Sequence, residues 1–336
     1  MALTSIGDLA NTVLLRHTNA RLNAEMTQLT QEMASGETAD IARHLHGDYA
    51  HFGDIEHDTR MLSRYESAAK DATLLTSAMQ AALGTAQSTT GALATDLIEQ
   101  SSGGLSVGWQ AASGNAVQAF DTLISALNTD VAGRALFAGQ TTDGAPFASS
   151  GAFLAALKPA LAGATTLNDI TTALDTWFDT PGGGFETLGY NGSDQSLAPF
   201  LIGEGETVNL DLRGDSPAIR DLLKNTAMAA LASDPDLGFS SDLQKGLLAS
   251  AGEALLGNQD ALTGLRADLG YAEARIEESR SRISAEKSSL ELARNALVGV
   301  DPYETATRLK NVQFQLESLY SATASLSRLS LVGYLK

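Results

Sequence analysis

The most constraining feature of the sequence is a heptad repeat of apolar residues at positions 255–298. Steps of three and four residues reach Leu255, Leu262, Leu265, Leu269, Ala272, Ile276, Ser279, Ile283, Glu286, Leu290, Ala293 and Leu297. A helix of about 43 residues would be roughly 65 Å long, which exceeds the diameter of a small domain. The pattern therefore predicts a long helix that needs a partner helix alongside it.

A second seam of similar composition lies at 55–100 and supplies that partner. Its positions are Ile55, Leu62, Tyr65, Ala69, Ala72, Thr76, Met79, Leu83, Ala86, Thr90, Leu93 and Leu97. A third helix is expected at about 107–130, antiparallel to the second, with Trp109, Ala116, Phe120, Leu123 and Leu127 on one face. Since aromatic residues make up only 6% of the chain, we expect long helices with thin seams rather than an aromatic core.

The middle of the chain, 139–240, has a different composition, with prolines and glycine clusters such as the run at 181–184. The alternating stretch 207–213 predicts a half-buried strand, and the glycines at 203 and 205 predict a hairpin with 200–202. Short helices are expected near 168–179 and 216–232. These signals predict a small mixed α/β domain inserted into the helical part.

Each end of the chain carries an amphipathic helix outside this framework. The first is expected at about 6–33, with Gly36 suited to a left-handed C-cap. The second follows Asp301-Pro302, where Asp301 is suited to the N-cap and Pro302 to the first helical position, and continues to about residue 330. Pairing of these two helices would give only a thin layer, so we expect the remaining apolar surface to bury against other subunits.

The fold class predicted from these patterns is mainly α. It is an elongated, coiled-coil-like helical rod formed by the N- and C-terminal segments, with a small inserted mixed α/β domain that contains a β-hairpin.

Composition excludes several classes of function. The formal net charge is −18, so the basic surface that nucleic acid or an anionic membrane requires is missing. The absence of cysteine excludes disulfides and thiolate chemistry. The first residues lack a basic segment followed by an apolar run, so we expect no Sec-type signal peptide, and no run is long enough for a transmembrane helix.

Candidate sites for chemistry are weak. All histidines, His17, His44, His46, His51 and His57, lie in one aspartate-rich stretch, but His44 and His46 are two residues apart, which splays them across a helix. We interpret this stretch as a solvated surface and expect no metal. The glycine run at 181–184 lacks the Lys-Ser/Thr of a phosphate loop, and no catalytic triad has supporting context. We therefore expect no enzyme and no cofactor.

Several segments together resemble the flagellin superfamily, and within it the family of flagellar hook-associated protein 3. They are Gly133–Gly139 with Thr141 and Pro146-Phe147, Tyr190-Asn191-Gly192, Leu269-Gly270 with Arg275, Val300–Ala306, and Leu329–Leu331 with Tyr334-Leu335. One segment departs from the family pattern. Where many members have an Asp-Asp-Pro-like turn after the first helix, this chain has Glu37-Thr38-Ala39-Asp40.

The resemblance implies a structural subunit of the bacterial flagellum that forms the junction between hook and filament. It implies three regions: terminal helices at 1–40 and 300–336 that are disordered in the monomer and assemble along the axis, a rod at 41–138 and 241–299, and a variable outer domain at 139–240. It also implies export through the flagellar type III channel. Implied partners are further copies of the chain in a ring, the hook or a hook-associated protein, flagellin and an export chaperone.

The predicted assembly interface comprises apolar residues of the terminal helices and the C-terminal segment. They are Ile6, Leu9, Val13, Leu15, Leu22, Leu29, Leu309, Val312, Leu316, Leu319, Leu326, Leu329, Leu331, Tyr334 and Leu335. Two alternatives stay open at this point. The first is a flagellin of the filament itself, and the second is a secreted helical adhesin or binding protein whose rod presents the middle domain to a ligand.

Overall fold

The computed structural model describes residues 5–103 and 106–334, with side chains described for 10–103 and 106–325. The helices are α1 (Ser5–Ser35), α2 (Ile41–His44), α3 (Ala50–Ser102), α4 (Ser106–Leu127), α5 (Ser150–Leu161), α6 (Leu167–Asp179), α7 (Pro217–Leu231), α8 (Ser241–Val298) and α9 (Pro302–Tyr334). The short strands are β1 (Asp130–Val131), β2 (Arg134–Ala135), β3 (Phe200–Gly203) and β4 (Glu206–Val208), and a π-helical turn spans Phe185–Gly189. The mainly helical fold class with a small β-containing segment is confirmed.

The described residues divide into two compact units. The central unit is Ser63–Ile283, and the terminal unit consists of the described residues up to Leu62 together with those from Ser284 onward. The boundaries predicted from sequence, at 40, 138, 240 and 300, stay predictions. In the structure the inserted segment and the rod residues 63–138 and 241–283 belong to the central unit, whereas the rod residues 41–62 and 284–299 belong to the terminal unit.

In the central unit, α3 and α8 pack antiparallel along the predicted seams. Every predicted seam position of α3 from Tyr65 to Leu97 is buried, as are the predicted α8 positions from Leu255 to Ile283, apart from Leu265, which is half-buried. Gln80 Nε2 donates to the carbonyl of Arg266 at 2.7 Å, and Gln259 Nε2 donates to Thr90 Oγ1 at 3.3 Å. These cross-helix bonds satisfy polar groups at the seam, whose exposure to apolar surroundings would otherwise cost free energy.

The α8 seam ends earlier than predicted. Glu286 is exposed, and Leu290, Ala293 and Leu297 are half-buried. The helix also begins at Ser241 rather than near 255, because Leu243, Leu247, Leu248 and Ala251 extend its buried face toward the N-terminus. Sequence periodicity located the seam but missed both of its limits.

Helix α4 has the predicted buried face and packs on α7. Ser113 Oγ donates to the carbonyl of Ala230 at 2.9 Å and accepts from the backbone N–H of Ser233 at 3.2 Å. The residues from Trp109 to Leu127 on this face are buried together with the α7 side chains Leu222 and Leu223. This contact joins the helical framework to the end of the inserted segment.

The inserted segment contains an aromatic cluster that the low aromatic content did not predict. Phe153 is fully buried, with its ring centroid 5.4 Å from that of Phe120 and 5.2 Å from that of Trp177. Phe185 stacks on Tyr190 at 5.9 Å. The expectation of thin seams alone is therefore wrong here, because the few aromatic residues are concentrated in one place. Helix α5 and the π-helical turn, which carry two of them, were also missed.

The predicted hairpin is present but short. Strand β3 pairs antiparallel with β4, with Leu201 opposite Thr207 and an irregularity before Gly203. The predicted strand to Arg213 is wrong, since β4 ends at Val208 and the following chain is irregular. There Gly214 donates its backbone N–H to the carbonyl of Phe137 at 2.8 Å instead of extending the ladder.

In the terminal unit, α1 and α9 form an antiparallel pair. The C-terminal end of α1, at Ser35, lies beside the N-terminal end of α9, at Pro302. Next to these two ends, Glu37 and Gly299 form an isolated β-bridge. Between α1 and α3 the chain makes the single turn of α2 and then turns sharply at His46 and Gly47, both with positive φ. Within the described residues, no helix is both long and apolar enough to cross a membrane.

Candidate functional site

The contact between α1 and α9 is a small apolar cluster. Its buried members are Leu22, Leu29, Val312 and Leu316, and Met26, Leu309 and Leu319 pack against it half-exposed. The heptad-like spacing on each helix puts these residues on one face, so two single stripes meet. Leu22 is 2% exposed, which shows that the stripe is closed by the partner helix of the same chain.

A polar contact continues the pair toward the start of α1. The side chains of Asn19 and Asn23 hydrogen-bond to the Tyr320 hydroxyl and lower the pKa of that phenol. Asn23 Nδ2 also donates to Asn19 Oδ1 at 2.8 Å, so the two amides hold each other in place. Amides and a hydroxyl thus replace leucine contacts on this part of the pair.

Beyond α1, the linker to α2 crosses the linker between α8 and α9. Thr38 donates its backbone N–H to the carbonyl of Val298 at 2.8 Å, and Val300 donates to the carbonyl of Gly36 at 3.0 Å. Gly36 has φ +75°, the left-handed C-cap conformation predicted for it, and its N–H bonds the carbonyl of Glu32 at 2.8 Å. These bonds fix where the two terminal helices leave the linkers.

Arg294 closes this crossing with its side chain. Its guanidinium pairs with Glu37 through Nη1 and with Glu56 through Nε at 2.8 Å, and it lies over the ring of Phe52 at 5.9 Å. The hydrogen bonds that the guanidinium donates to both carboxylates raise the pKa of Arg294, so the group stays charged. We call Arg294, Glu37 and Glu56 the clasp. Their spacing in sequence carries no local signal, so pattern analysis missed them.

The start of α9 is capped as predicted. Helix α9 begins at Pro302, and Asp301 Oδ1 accepts from the backbone N–H of Tyr303 at 2.8 Å and of Glu304 at 3.2 Å. Two of the free N–H groups at the helix N-terminus are thereby satisfied. Proline at the first helical position costs no hydrogen bond.

Apolar side chains remain exposed on both terminal helices. Val13 and Leu14 are 61% and 65% exposed, and they line an open groove of about 500 Å³ with Ala10 and His17. On α9, Phe314 is 70% exposed. Sequence analysis included Val13 but missed Leu14 and Phe314, because neither lies on the leucine stripe. The sequence pattern that could have identified them is a large apolar residue on the otherwise polar face of each helix.

The structure places the predicted interface residues in three groups. Leu22, Leu29, Val312 and Leu316 are buried between α1 and α9, with Leu309 and Leu319 at the edge of that cluster. Val13 is exposed and Leu15 is half-buried. The side chains of Ile6, Leu9, Leu326, Leu329, Leu331, Tyr334 and Leu335 lie outside the described residues. Their role as contacts between subunits stays a prediction.

The charge of the chain is distributed unevenly. Helices α1 and α9 together contain five acidic and five basic residues. The central unit contains 26 acidic and 12 basic residues, which is a formal charge of −14. The terminal pair is thus formally neutral, and the central unit carries most of the negative charge.

The other candidate residues form no chemical site in the part of the chain that is described. His17, His44, His46, His51 and His57 are all exposed, and no cluster of three metal-ligating side chains occurs among the described residues. Pro181 and the glycines that follow it form a turn after α6.

Comparison with known proteins gives a family for the C-terminal part. Residues 255–335 match the model of the bacterial flagellin C-terminal helical region. No curated protein sequence matches the chain. Among solved structures, Bacillus cereus FlgL matches with a TM-score of 0.50 and 14% identity, covering 70% of this chain and 96% of that one.

A proposed flagellar hook-associated protein from Vibrio parahaemolyticus matches with a TM-score of 0.49 and 14% identity, covering 73% of this chain and 94% of that one. At 14% identity the likeness to FlgL concerns the fold, and the similarity to flagellins in sequence covers residues 255–335. The superfamily resemblance found in the sequence is confirmed. Residues 255–335 are thus similar to the C-terminal helical region of bacterial flagellins.

Proposed function

We propose that this chain is the subunit that joins hook to filament, and that copies of it assemble through α1 and α9. The observation that carries the proposal is the α1–α9 pair itself. It is formally neutral, it buries one stripe internally, and it leaves Val13, Leu14 and Phe314 exposed. Val13 and Leu14 lie side by side at an open groove, and a packed assembly would bury them together.

The charge distribution supports the same proposal. Packing like charges side by side in a closed assembly would be repulsive, so a neutral pair suits the assembled interior. The excess of acidic residues in the central unit suits a surface that stays in water.

The junction role is the finer part of the proposal. It is supported by the C-terminal sequence Leu329–Leu331 with Tyr334-Leu335, which resembles the junction family, and by the likeness in fold to FlgL. The alternative is a filament flagellin, which the matched flagellin C-terminal region favours equally. We also propose the partners that the junction role entails: the hook or a hook-associated protein on one side, flagellin on the other, and an export chaperone before type III export.

Deletion of the gene separates the two roles. For a junction subunit we expect loss of filaments while intact flagellin is secreted into the medium, because filament subunits would have nothing to assemble on. Absence of flagellin itself from the medium would assign the chain to the filament. Complementation with the full chain is the control.

Limited proteolysis of the free monomer tests the proposed role of the terminal helices. If they are weakly held before assembly, a protease should remove roughly the first 40–50 and last 30–40 residues and leave a stable core. Protection of both ends in a monomer confirmed by light scattering would count against assembly through these helices.

A further inference from the structure

An open groove of about 650 Å³ lies on the central unit. It is bounded by the end of α5, by one face of α6 and by the turn at 181–184. Its volume falls within the roughly 300–1,000 Å³ that small-molecule sites occupy. It lies in the inserted segment, so the assembly function proposed for α1 and α9 does not account for it.

The glycine run forms one wall of the groove by close approach. Gly182 has φ +72°, which favours glycine. A Cβ on Gly184 would lie 1.9 Å from Trp177 Nε1, and one on Gly183 would lie 2.7 Å from the Thr180 carbonyl oxygen. The three glycines therefore allow the turn to close against the edge of the indole, which explains a motif that fits no phosphate loop.

Trp177 presents an unpaired donor at this place. The side chain is 7% exposed, and its ring packs against Phe153 and Phe178 with centroids 5.2 and 4.8 Å away. Among the described residues its indole N–H has no hydrogen-bond partner, and the residue lines the groove. The other tryptophan differs, since Trp109 Nε1 donates to the carbonyls of Gln100 at 3.2 Å and Gly103 at 3.3 Å. A tryptophan N–H ordinarily finds an acceptor, and at this groove the acceptor would be water or a ligand.

The face of α6 that lines the groove adds hydroxyl and amide groups. Asn168, Thr172 and Thr176 are exposed on it. Thr176 Oγ1 donates to the carbonyl of Thr172 at 2.8 Å, which leaves its lone pairs free to accept. Ala160 and Ala173 lie in the same lining and supply small apolar patches. The lining thus alternates hydrogen-bonding groups with C–H surface.

The charges at the groove restrict the ligand. Asp169 lines it, and none of the described lining residues is basic, so an anion would be repelled. The same carboxylate accepts from the backbone N–H groups of Thr165 at 3.2 Å and Thr166 at 3.0 Å. The Thr166 side chain, together with these N–H groups, lowers the pKa of Asp169. Both bonds end on Oδ2, so the other carboxylate oxygen of Asp169 is available to accept from a ligand hydroxyl.

We propose that this groove binds a neutral saccharide, with the Trp177 indole N–H donating to a sugar oxygen and Thr172 and Asn168 bonding neighbouring hydroxyls. A sugar ring offers hydroxyls on its rim and C–H groups on its face, which matches the alternating lining. The class of ligand follows from the hydroxyl and amide groups of the lining and from the lack of a basic residue among its described members, and the particular sugar is left to experiment.

The two tryptophans make the test selective. With two in the chain, a ¹⁵N-labelled sample gives two indole N–H signals, which Trp177→Phe assigns. The full chain is titrated to millimolar concentration with neutral oligomers of glucose, mannose, galactose and N-acetylglucosamine, and with an acidic sialyl-oligosaccharide. We expect the Trp177 signal to shift and saturate with a neutral oligomer while the Trp109 signal stays in place.

Variants check that the shift reports the groove. Thr172→Val should weaken the affinity about two- to tenfold, which corresponds to one hydrogen bond. Thr171→Val, a matched change on α6 outside the lining, should leave the affinity unchanged. Circular dichroism confirms that each variant is folded. Because Thr172 is exposed, its substitution does not disturb the core. Three results of the titration would overturn the proposal: a Trp177 signal that no sugar moves, equal shifts of both signals, or a preference for the acidic sugar. Binding of an extended peptide at this groove in place of sugar would also overturn it.

Discussion

The central unit buries many more apolar side chains than the contact between α1 and α9 does. The central unit has one continuous core that links α3, α4, α7 and α8 with the aromatic cluster of the inserted segment. The α1–α9 contact contains four buried side chains. At about 1.5–3 kcal/mol for each buried apolar side chain, burial in that contact contributes about 6–12 kcal/mol, far less than burial in the core of the central unit. We infer that the central unit holds its own fold, and we propose that α1 and α9 gain stability from further contacts on assembly.

The largest loss of stability is expected from a substitution in the core of the central unit. Phe153→Ala removes a fully buried ring from the centre of the aromatic cluster and should cost about 3–5 kcal/mol. We expect the main melting transition, followed by calorimetry, to fall by roughly 6–20 °C. Phe314→Ala, which truncates an exposed phenylalanine, is the matched control. A similar loss from both variants would show that the two units do not differ in this way.

A second variant attacks the terminal pair. Leu316→Asp puts a carboxylate into a cluster with no basic partner described within it, and burying such a group unpaired costs several kcal/mol. We expect α1 and α9 to separate and assembly to be lost, while the main melting transition is unchanged. Sedimentation measures assembly and calorimetry measures the transition. A large fall in the main transition would mean that the pair contributes to the central fold.

The clasp should have an intermediate effect that is local to the linkers. Arg294→Gln removes the charge held between Glu37 and Glu56, and we expect a loss of about 1–2 kcal/mol. Hydrogen exchange of the Thr38 and Val300 amides, which bond across the two linkers, should become faster. Arg294→Lys keeps the charge but not the fork geometry, so it should restore only part of the protection. Unchanged amide exchange in Arg294→Gln would show that the clasp does not hold the two linkers together.

The smallest effect on stability is expected at an exposed residue with a proposed role in assembly. Phe314→Ser should change the free energy of unfolding by less than about 0.5 kcal/mol, because the side chain is mostly in water. Assembly should nevertheless weaken, as measured by light scattering against concentration. Gln313→Ala, an exposed neighbour on the same helix, is the control. Equal assembly by both variants would exclude this face of α9 from the contact.

Helices and their buried faces were the part of the fold most accessible from sequence. The α3 seam is a strong example, because its period persists over many turns and each step from Tyr65 to Leu97 is buried. The end of the α8 seam was less accessible, since the periodic leucines continue after Glu286 while their burial becomes only partial. Periodicity records the face of a helix, and the tertiary partner decides how much of that face is covered.

The features that pattern analysis missed depend on residues distant in sequence. The clasp joins Arg294 to Glu37 and Glu56, and no local rule relates these positions. The aromatic cluster unites Phe120 with Phe153 and Trp177, which looked like isolated aromatic residues in a chain poor in them. In the candidate assembly surface, the stripe from Leu22 to Leu29 was identified but its intramolecular pairing with Val312 and Leu316 was underestimated.

If copies of the chain assemble as proposed, the unequal charge of the two units should make polymer growth depend on ionic strength. Each added copy would bring a formal charge of −14 on its central unit next to that of its neighbours. At a screening length of about 8 Å in physiological salt this repulsion is short-ranged, and in dilute buffer it reaches roughly 30 Å. The critical concentration for growth should therefore fall as salt is added, with divalent cations more effective than sodium at equal ionic strength. The acidic surface would also keep completed polymers apart from one another in suspension.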